Sequence, residues 1–238
     1  MWALGDDRAV FHGTAPWYAR YRPRYPAELI ERLAVAARLD GTGRLLDLGT
    51  GPGFLAVPLA PYVEEVVAVD PDAGMLAELP SSIRAVQGRA EDVDESWGSF
   101  RLVTIGRAYH WMDPAVLERL PTDQVALVGE EQNAAHTTVR KLSEELFGDR
   151  PPFRQPHVRY AQALAASPFD DVTTITVVEE KTWTVEELIG FAYSTSFASL
   201  ARVGDRREEF EHTLRERVPS PLHVRTEFAA LLGRRSDH

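Results

Sequence analysis

The sequence predicts an α/β protein built around a doubly wound, mostly parallel sheet, and three observations carry that prediction. The apolar run Leu45-Leu46-Asp47-Leu48 is short enough for one buried strand and breaks into Gly49-Thr50-Gly51-Pro52-Gly53, three glycines in five positions. Glycines let a backbone turn sharply and approach a ligand with no Cβ in the way. A second apolar run, Val66-Val67-Ala68-Val69, ends on Asp70, at the spacing of an acid that binds a ribose beyond such a turn. Short apolar runs then alternate with helix-like patterns as far as Gly129. Strands alternating with helices imply right-handed parallel crossovers and a ligand cleft at the strands' C-terminal ends.

Taken in order, Met1–Gly13 show no periodicity and read as a leader. The segment Trp17-Tyr18-Ala19-Arg20-Tyr21-Arg22-Pro23-Arg24-Tyr25-Pro26 reads as a turn, because proline restricts the residue before it. Pro26 suits the first turn of a helix over Ala27–Leu39, where Leu29, Ile30, Leu33 and Val35 recur near helical spacing. Strand Arg44–Leu48, helix Phe54–Tyr62, strand Val66–Asp70, helix Asp72–Leu79 and strand Ile83–Gln87 follow. An acidic loop leads to strand Leu102–Gly106, a short helix Pro114–Leu120 and strand Gln124–Gly129. Beyond Glu130 the alternation lapses. Thr137–Phe147 and Val158–Ala166 read as helices separated by Pro151 and Pro152, and Val172–Val178 as a strand. Val185–Phe191 starts a helix capped by Thr184, Arg206–Val218 is a charged, mostly exposed helix, and His223–Leu231 is the last strand.

Composition narrows the function classes. A length of 238 residues with 44% hydrophobic content predicts one domain with a sizeable core. The absence of cysteine excludes disulfides, thiolate metal sites and cysteine nucleophiles. No apolar stretch approaches the ~18 residues of a membrane span, and no basic-then-apolar leader opens the chain, so a soluble cytoplasmic protein is expected. A net charge of -10 argues against nucleic acid or an anionic membrane as partner, since both call for a basic face. Lys141 and Lys181 are the only lysines among many arginines, which, with the abundant alanine, suggests a high-GC bacterial source.

The glycine segment separates two nucleotide readings. A dinucleotide fingerprint requires glycine at its first, third and sixth positions, and the sixth position counted from Gly49 is Phe54. The pattern is instead acid-x-Gly-x-Gly-x-Gly, with Asp47 two residues ahead of Gly49. A pyrophosphate favours a helix N-terminus, whereas a carboxylate suits a cationic ligand such as an amino-acid ammonium. Asp47–Gly53 resembles motif I of the class I S-adenosylmethionine (SAM)-dependent methyltransferases. Gly106-Arg107-Ala108-Tyr109-His110-Trp111-Met112-Asp113 resembles the Ala-aromatic-His-Trp segment of the type 11 and trans-aconitate methyltransferase group. The resemblance implies a Rossmann-like, seven-stranded, mostly parallel sheet with an N-terminal helical extension (1–40), a cofactor-binding core (41–130) and a helical cap (131–238). Val172–Val178 and His223–Leu231 would be the sixth and seventh strands, the last antiparallel. The cap would comprise the helices of Thr137–Ala166 and Val185–Val218.

The same resemblance implies SAM as cofactor, S-adenosylhomocysteine as product, and a role for each of several residues. Backbone at Gly49, Thr50, Gly51 and Gly53 would hold the methionine part, with Asp47 on its ammonium directly or through water. Asp70, followed by Pro71, would accept charge-assisted hydrogen bonds from the ribose, and Met75 would pack on adenine. The Ala90 backbone and Glu91 side chain would read the adenine edge. Arg107 and Ala108 belong to the segment facing the sulfonium, and Tyr18 and Arg22 would meet the methionine carboxylate. His110 is the candidate base, or the residue that orients its loop. Tyr21, Tyr109, Trp111, Tyr193 and Phe197 are candidate substrate-pocket residues, with the core of the cap as the alternative for the last two.

Other site chemistries find little support. His12, His136, His157 and His238 form no His-x-x-x-His pair, so no metal is expected, and no Gly-x-Ser-x-Gly elbow occurs. Where many members of the group carry Pro-Gly-Gly before the fifth strand, this chain has Pro121-Thr122-Asp123. The expected function is methyl transfer to an O, N or C nucleophile of a small molecule, with bacterial secondary metabolism as a setting and a monomer or homodimer as the assembly. A SAM-binding protein without methyl transfer and an NAD(P)-dependent oxidoreductase are the alternatives.

Overall fold

Residues 13–148 and 160–236 are described in a computed structural model. The leader, Pro151, Pro152, His12, His157 and His238 lie outside them, apart from Gly13. Seven strands form one sheet: β1 (Arg44–Leu48), β2 (Glu65–Asp70), β3 (Arg84–Gln87), β4 (Leu102–Gly106), β5 (Gln124–Glu130), β6 (Asp171–Trp183) and β7 (Leu222–Arg234). Their order is β3-β2-β1-β4-β5-β7-β6. The first five strands pair in parallel, and β7 runs antiparallel to β5, with Val128 opposite Ala230. The chain winds outward from β1 to β3 and then returns to β4 on the other side of β1, which opens a crevice at the carboxyl ends of β1 and β4. The central strands are continuous apolar runs because both of their faces are covered. Asp47 and Thr104 are buried exceptions in β1 and β4, and they stand opposite each other in the register.

The described residues group into two units, and the larger comprises those of Arg24–Glu130, Pro152–Val177 and Phe228–His238. Its core gathers Leu46, Val67, Val103, Ile105 and Leu127 from the strands with Val116 and Leu117 from the 3-10 turn Pro114–Arg119. The helices of this unit are shorter than the sequence predicts. The helix expected over Ala27–Leu39 ends at Ala36, with Val35 facing solvent, and Phe54–Tyr62 resolves into an α-helix Ala56–Leu59 and a 3-10 turn Ala60–Tyr62. Asp72 caps a short helix Ala73–Leu76, its carboxylate accepting from the Gly74 N–H. The helix Tyr160–Ala165 corrects the expected cap boundary. Leu164 is fully buried in the sheet core beside Phe169, so this helix belongs with the sheet and not with the cap.

The smaller unit comprises the described residues of Met1–Pro23, Glu131–Pro151 and Val178–Glu227 and is mainly helical. Trp17–Tyr21 is not the turn expected: a helix spans Ala15–Tyr21 and stops at Arg22, whose extended backbone is the conformation Pro23 demands of its predecessor. Helix Ala134–Phe147 starts three residues before the predicted Thr137, because Asn133 caps it through the His136 N–H. Helix Val185–Tyr193 carries a capping box between Thr184 and Glu187. Helix Arg207–Arg217 is charged outside, yet buries Phe210 and Leu214 against Phe191, Tyr193 and Val139. No helix among the described residues is long and apolar enough to cross a membrane.

Gly190 is a point of close packing in this unit, since a Cβ there would lie 2.4 Å from the Tyr21 ring. Gly190→Ala is expected to cost about 1–3 kcal/mol through overpacking, read as a lower urea midpoint at unchanged slope. An unchanged midpoint would show that the Tyr21 ring is not held there.

Candidate cofactor site

The turn after β1 is left-handed at every glycine: φ is +63° at Gly49, +54° at Gly51 and +84° at Gly53. Each would cost an L-residue roughly 1–2 kcal/mol. Two of the three are also confined by neighbours. A Cβ on Gly49 would fall 2.4 Å from the Ala108 methyl, and one on Gly53 would fall 2.5 Å from Leu79. The Thr50 N–H donates to the Val69 carbonyl at 3.0 Å, tying the turn to the end of β2.

Two carboxylates fasten this turn. Asp47 is buried and accepts hydrogen bonds from the hydroxyls of Thr50 (2.6 Å) and Thr104 (2.7 Å), bridging the turn to β4. Burial pushes its carboxyl up to about 6, although the Thr50 and Thr104 hydroxyls and the Ala56 N–H pull the other way. Asp70 accepts from the Gly51 N–H at 2.8 Å through one oxygen and from the Asp72 N–H at 2.9 Å through the other. Burial raises its carboxyl as well. Each carboxylate oxygen carries two lone pairs, so Asp70 retains acceptor capacity beyond these bonds. Pro71 follows directly, and its carbonyl accepts from the Gln87 amide.

Beyond β3, Ala90 is buried in the 3-10 turn Ala90–Asp92, and the Arg89 N–H donates to Asp92. Glu91 reaches across to accept the Asp113 N–H at 2.9 Å. Burial raises its carboxyl, but the Asp113 N–H and Arg89 outweigh that and hold it below the usual range. Met75 is buried on the helix that follows β2.

The segment after β4 is held by partners of Arg107 that sequence reading did not single out. Arg107 has φ +55°, unusual for a residue with a side chain, and its N–H donates to the Val128 carbonyl at 2.9 Å. Its guanidinium forms an ion pair with Glu130, both side chains over nine-tenths buried, and lies 4.4 Å from the Tyr25 ring centre. Removing one member of such a buried pair typically costs about 3–5 kcal/mol. This turn sets Ala108 on Gly49 and starts the 3-10 turn Tyr109–Trp111. Tyr109, expected at the substrate pocket, packs instead in the sheet core with its ring edge-on to Tyr160, and burial, with Asp113 and Glu118 nearby, raises its phenol. His110 and Trp111 are half-buried, with ring centres 5.1 Å apart.

Residues 45–125 match the methyltransferase domain family. An uncharacterised methyltransferase of Mycobacterium tuberculosis is 36% identical over 161 residues, 62% of this chain and 63% of the relative. A Dictyostelium discoideum protein, also named as a methyltransferase, is 26% identical over 220 residues, 84% of this chain and 81% of its own. The solved structure of a candidate type II methyltransferase from Anaeromyxobacter dehalogenans superposes with a TM-score of 0.64 at 25% identity. It covers 92% of this chain and 100% of that one. These similarities are all to methyltransferases, and the family match itself is confined to residues 45–125. The chain spans just under two thirds of the length of the mycobacterial relatives it matches.

The remaining expected site residues lie in the helical unit. The Arg22 guanidinium lies 5.6 Å from the Tyr18 ring centre and 5.3 Å from that of Phe191. Tyr21 stacks on Trp17, with centres 5.7 Å apart. Tyr193 is fully buried, and its hydroxyl donates to Glu211 at 2.8 Å. Phe197 packs on the same helical core and accepts the Ser143 hydroxyl through its carbonyl. Of the alternatives for Tyr193 and Phe197, these contacts are those of the cap core. Thr104, Tyr25 and Glu130 are the residues that sequence reading missed. Thr104 could have been suspected as a lone hydroxyl in an apolar strand, and Glu130 as an acid that ends β5 as Asp70 ends β2.

The raised Asp47 pKa has a definite sign. The folded state holds that proton more tightly than the unfolded chain, so Asp47 favours folding below about pH 4, and this is lost as pH rises through about 6. Across that window the wild-type protein should lose up to about 3 kcal/mol relative to Asp47→Asn, measured as urea midpoints from pH 4 to 8. A difference flat in pH would contradict the assignment.

Proposed function

We propose that the protein transfers a methyl group from SAM to an O, N or C nucleophile of a small molecule. The observation that carries this reading is the Asp70 carboxylate bound to the Gly51 N–H, beside three left-handed glycines and below a buried Asp47. That arrangement fits the ligand on chemical grounds. It presents a carboxylate with spare lone pairs for ribose hydroxyls, a backbone with no Cβ for close approach, and negative charge for a cationic ligand. Met75 and Ala90, both buried beside the strand ends, suit the adenine, with Glu91 at its edge. The Phe54 that occupies the sixth position of a dinucleotide fingerprint is buried in this domain, which favours SAM over a nicotinamide cofactor.

When bound, SAM supplies a methyl on a sulfonium that an acceptor displaces in line. The protein's share is then mainly alignment, which can supply several kcal/mol. Trp111 offers an aromatic face for cation–π contact, worth roughly 0.5–2 kcal/mol, and His110 takes a proton when the acceptor's nucleophile carries one to lose. The net charge of -10 favours a small acceptor over nucleic acid.

Calorimetric titration with SAM, S-adenosylhomocysteine and NADH tests the reading. Micromolar binding of the first two, and none of NADH, is expected. Asp70→Ala should weaken SAM at least about tenfold, about 1.4 kcal/mol, and Asp70→Asn, which keeps the shape, should weaken it less. Unchanged SAM affinity in Asp70→Ala would remove the ribose assignment, and NADH binding alone would overturn the cofactor.

A further inference from the structure

Glu130 has no part in the cofactor reading above, yet it closes β5 among the strand ends that form the site. Its side chain is 4% exposed and pairs with Arg107, the first residue beyond β4. Arg107 in turn is set by its N–H on the Val128 carbonyl and by the Tyr25 ring beneath its guanidinium. Tyr25 itself reaches the same carbonyl through its hydroxyl at 3.4 Å. An arginine stays charged at any working pH, so a buried carboxylate held against it sets the charge at this corner of the sheet.

The strand order says which end of a cofactor meets that corner. With its ribose held at Asp70 on β2 and its adenine toward β3, SAM would extend over the glycine turn of β1 toward β4, where Ala108, next to Arg107, packs on Gly49. Resting on that reading of the cofactor, we propose that Glu130, through its pairing with Arg107, makes the β4–β5 corner tolerate a sulfonium and so sets the preference for cationic SAM over its neutral product. Charges within several ångströms of one another interact strongly where water is excluded. Removing the carboxylate leaves the arginine's field opposed to the sulfonium and indifferent to a thioether. Glu130 is therefore a positioning and charge-setting residue, acting through Arg107.

The test is the ratio of SAM to S-adenosylhomocysteine affinity, measured by calorimetry on the full chain. Glu130→Gln keeps the shape and loses the charge, and should weaken SAM about tenfold relative to the product. Glu130→Asp keeps the charge and should hold the ratio within about threefold of wild type. Arg107→Gln should move the ratio the other way, toward SAM. Equal weakening of both ligands in Glu130→Gln would mean that the pair only supports the fold, and would overturn the proposal. Should Glu130→Gln not fold, Arg107→Gln decides, and an unchanged ratio there overturns it. A wild-type protein that binds neither ligand would instead remove the cofactor reading on which the proposal rests.

Discussion

The hydrogen bond from the Gly51 N–H to Asp70 joins the two features on which the site depends, a left-handed turn and the acid at the end of the next strand. Glycine makes the turn possible but does not hold it, because a residue without Cβ is at home in many conformations. The holding is done by carboxylates. Asp70 fixes the turn from β2, and Asp47, through Thr50 and Thr104, fixes it from β1 and β4. With the turn fixed, Gly49 can receive Ala108, and the segment carrying His110 and Trp111 starts from a defined point.

Holding a turn with buried carboxylates has an electrostatic consequence. Burial makes the charged form of Asp47 and Asp70 costly, and the raised pKa values of both record this. A cation bound nearby would relieve that cost and a neutral ligand would not, which is the electrostatic ground for proposing SAM. The opposing charge, Arg107, is met by its own carboxylate, Glu130. The fold therefore settles both geometry and charge within the five parallel strands.

The sheet was legible because its information is local. Apolar runs of strand length, a glycine break and a terminal acid all occur within a few residues, and β1 and β4 fall where the sequence puts them. What escaped depends on partners far apart in the chain. Thr104 and Asp47 are 57 residues apart, and Tyr25 and Val128 are 103 apart, with nothing in either neighbourhood to announce the pairing. The burial of Tyr109 escaped for the same reason, and Tyr193 was left open between pocket and core, since a tyrosine's sequence neighbours do not reveal which it faces. The helix Tyr160–Ala165 was recognisable as a helix but not as part of the sheet unit, an allegiance set by Leu164 packing beside Phe169.

The segment before β5 closes without the glycines of the family pattern. Where the resembling family often has two glycines, Thr122 follows Pro121, its hydroxyl donating to the Gln124 carbonyl at 3.0 Å and accepting the Gln124 N–H at 3.2 Å. The Pro121 carbonyl accepts the Phe100 N–H at 2.9 Å, and Phe100 bridges to Thr122 in parallel, so β5 is launched beside β4 before either strand formally begins. A side-chain hydroxyl thus does locally what backbone freedom does elsewhere, since short polar side chains can close a turn by bonding their own backbone. A glycine is therefore indispensable only where a neighbour comes too close for a Cβ. That condition holds at Gly49, against Ala108, and not in the turn before β5, which Thr122 closes through its hydroxyl.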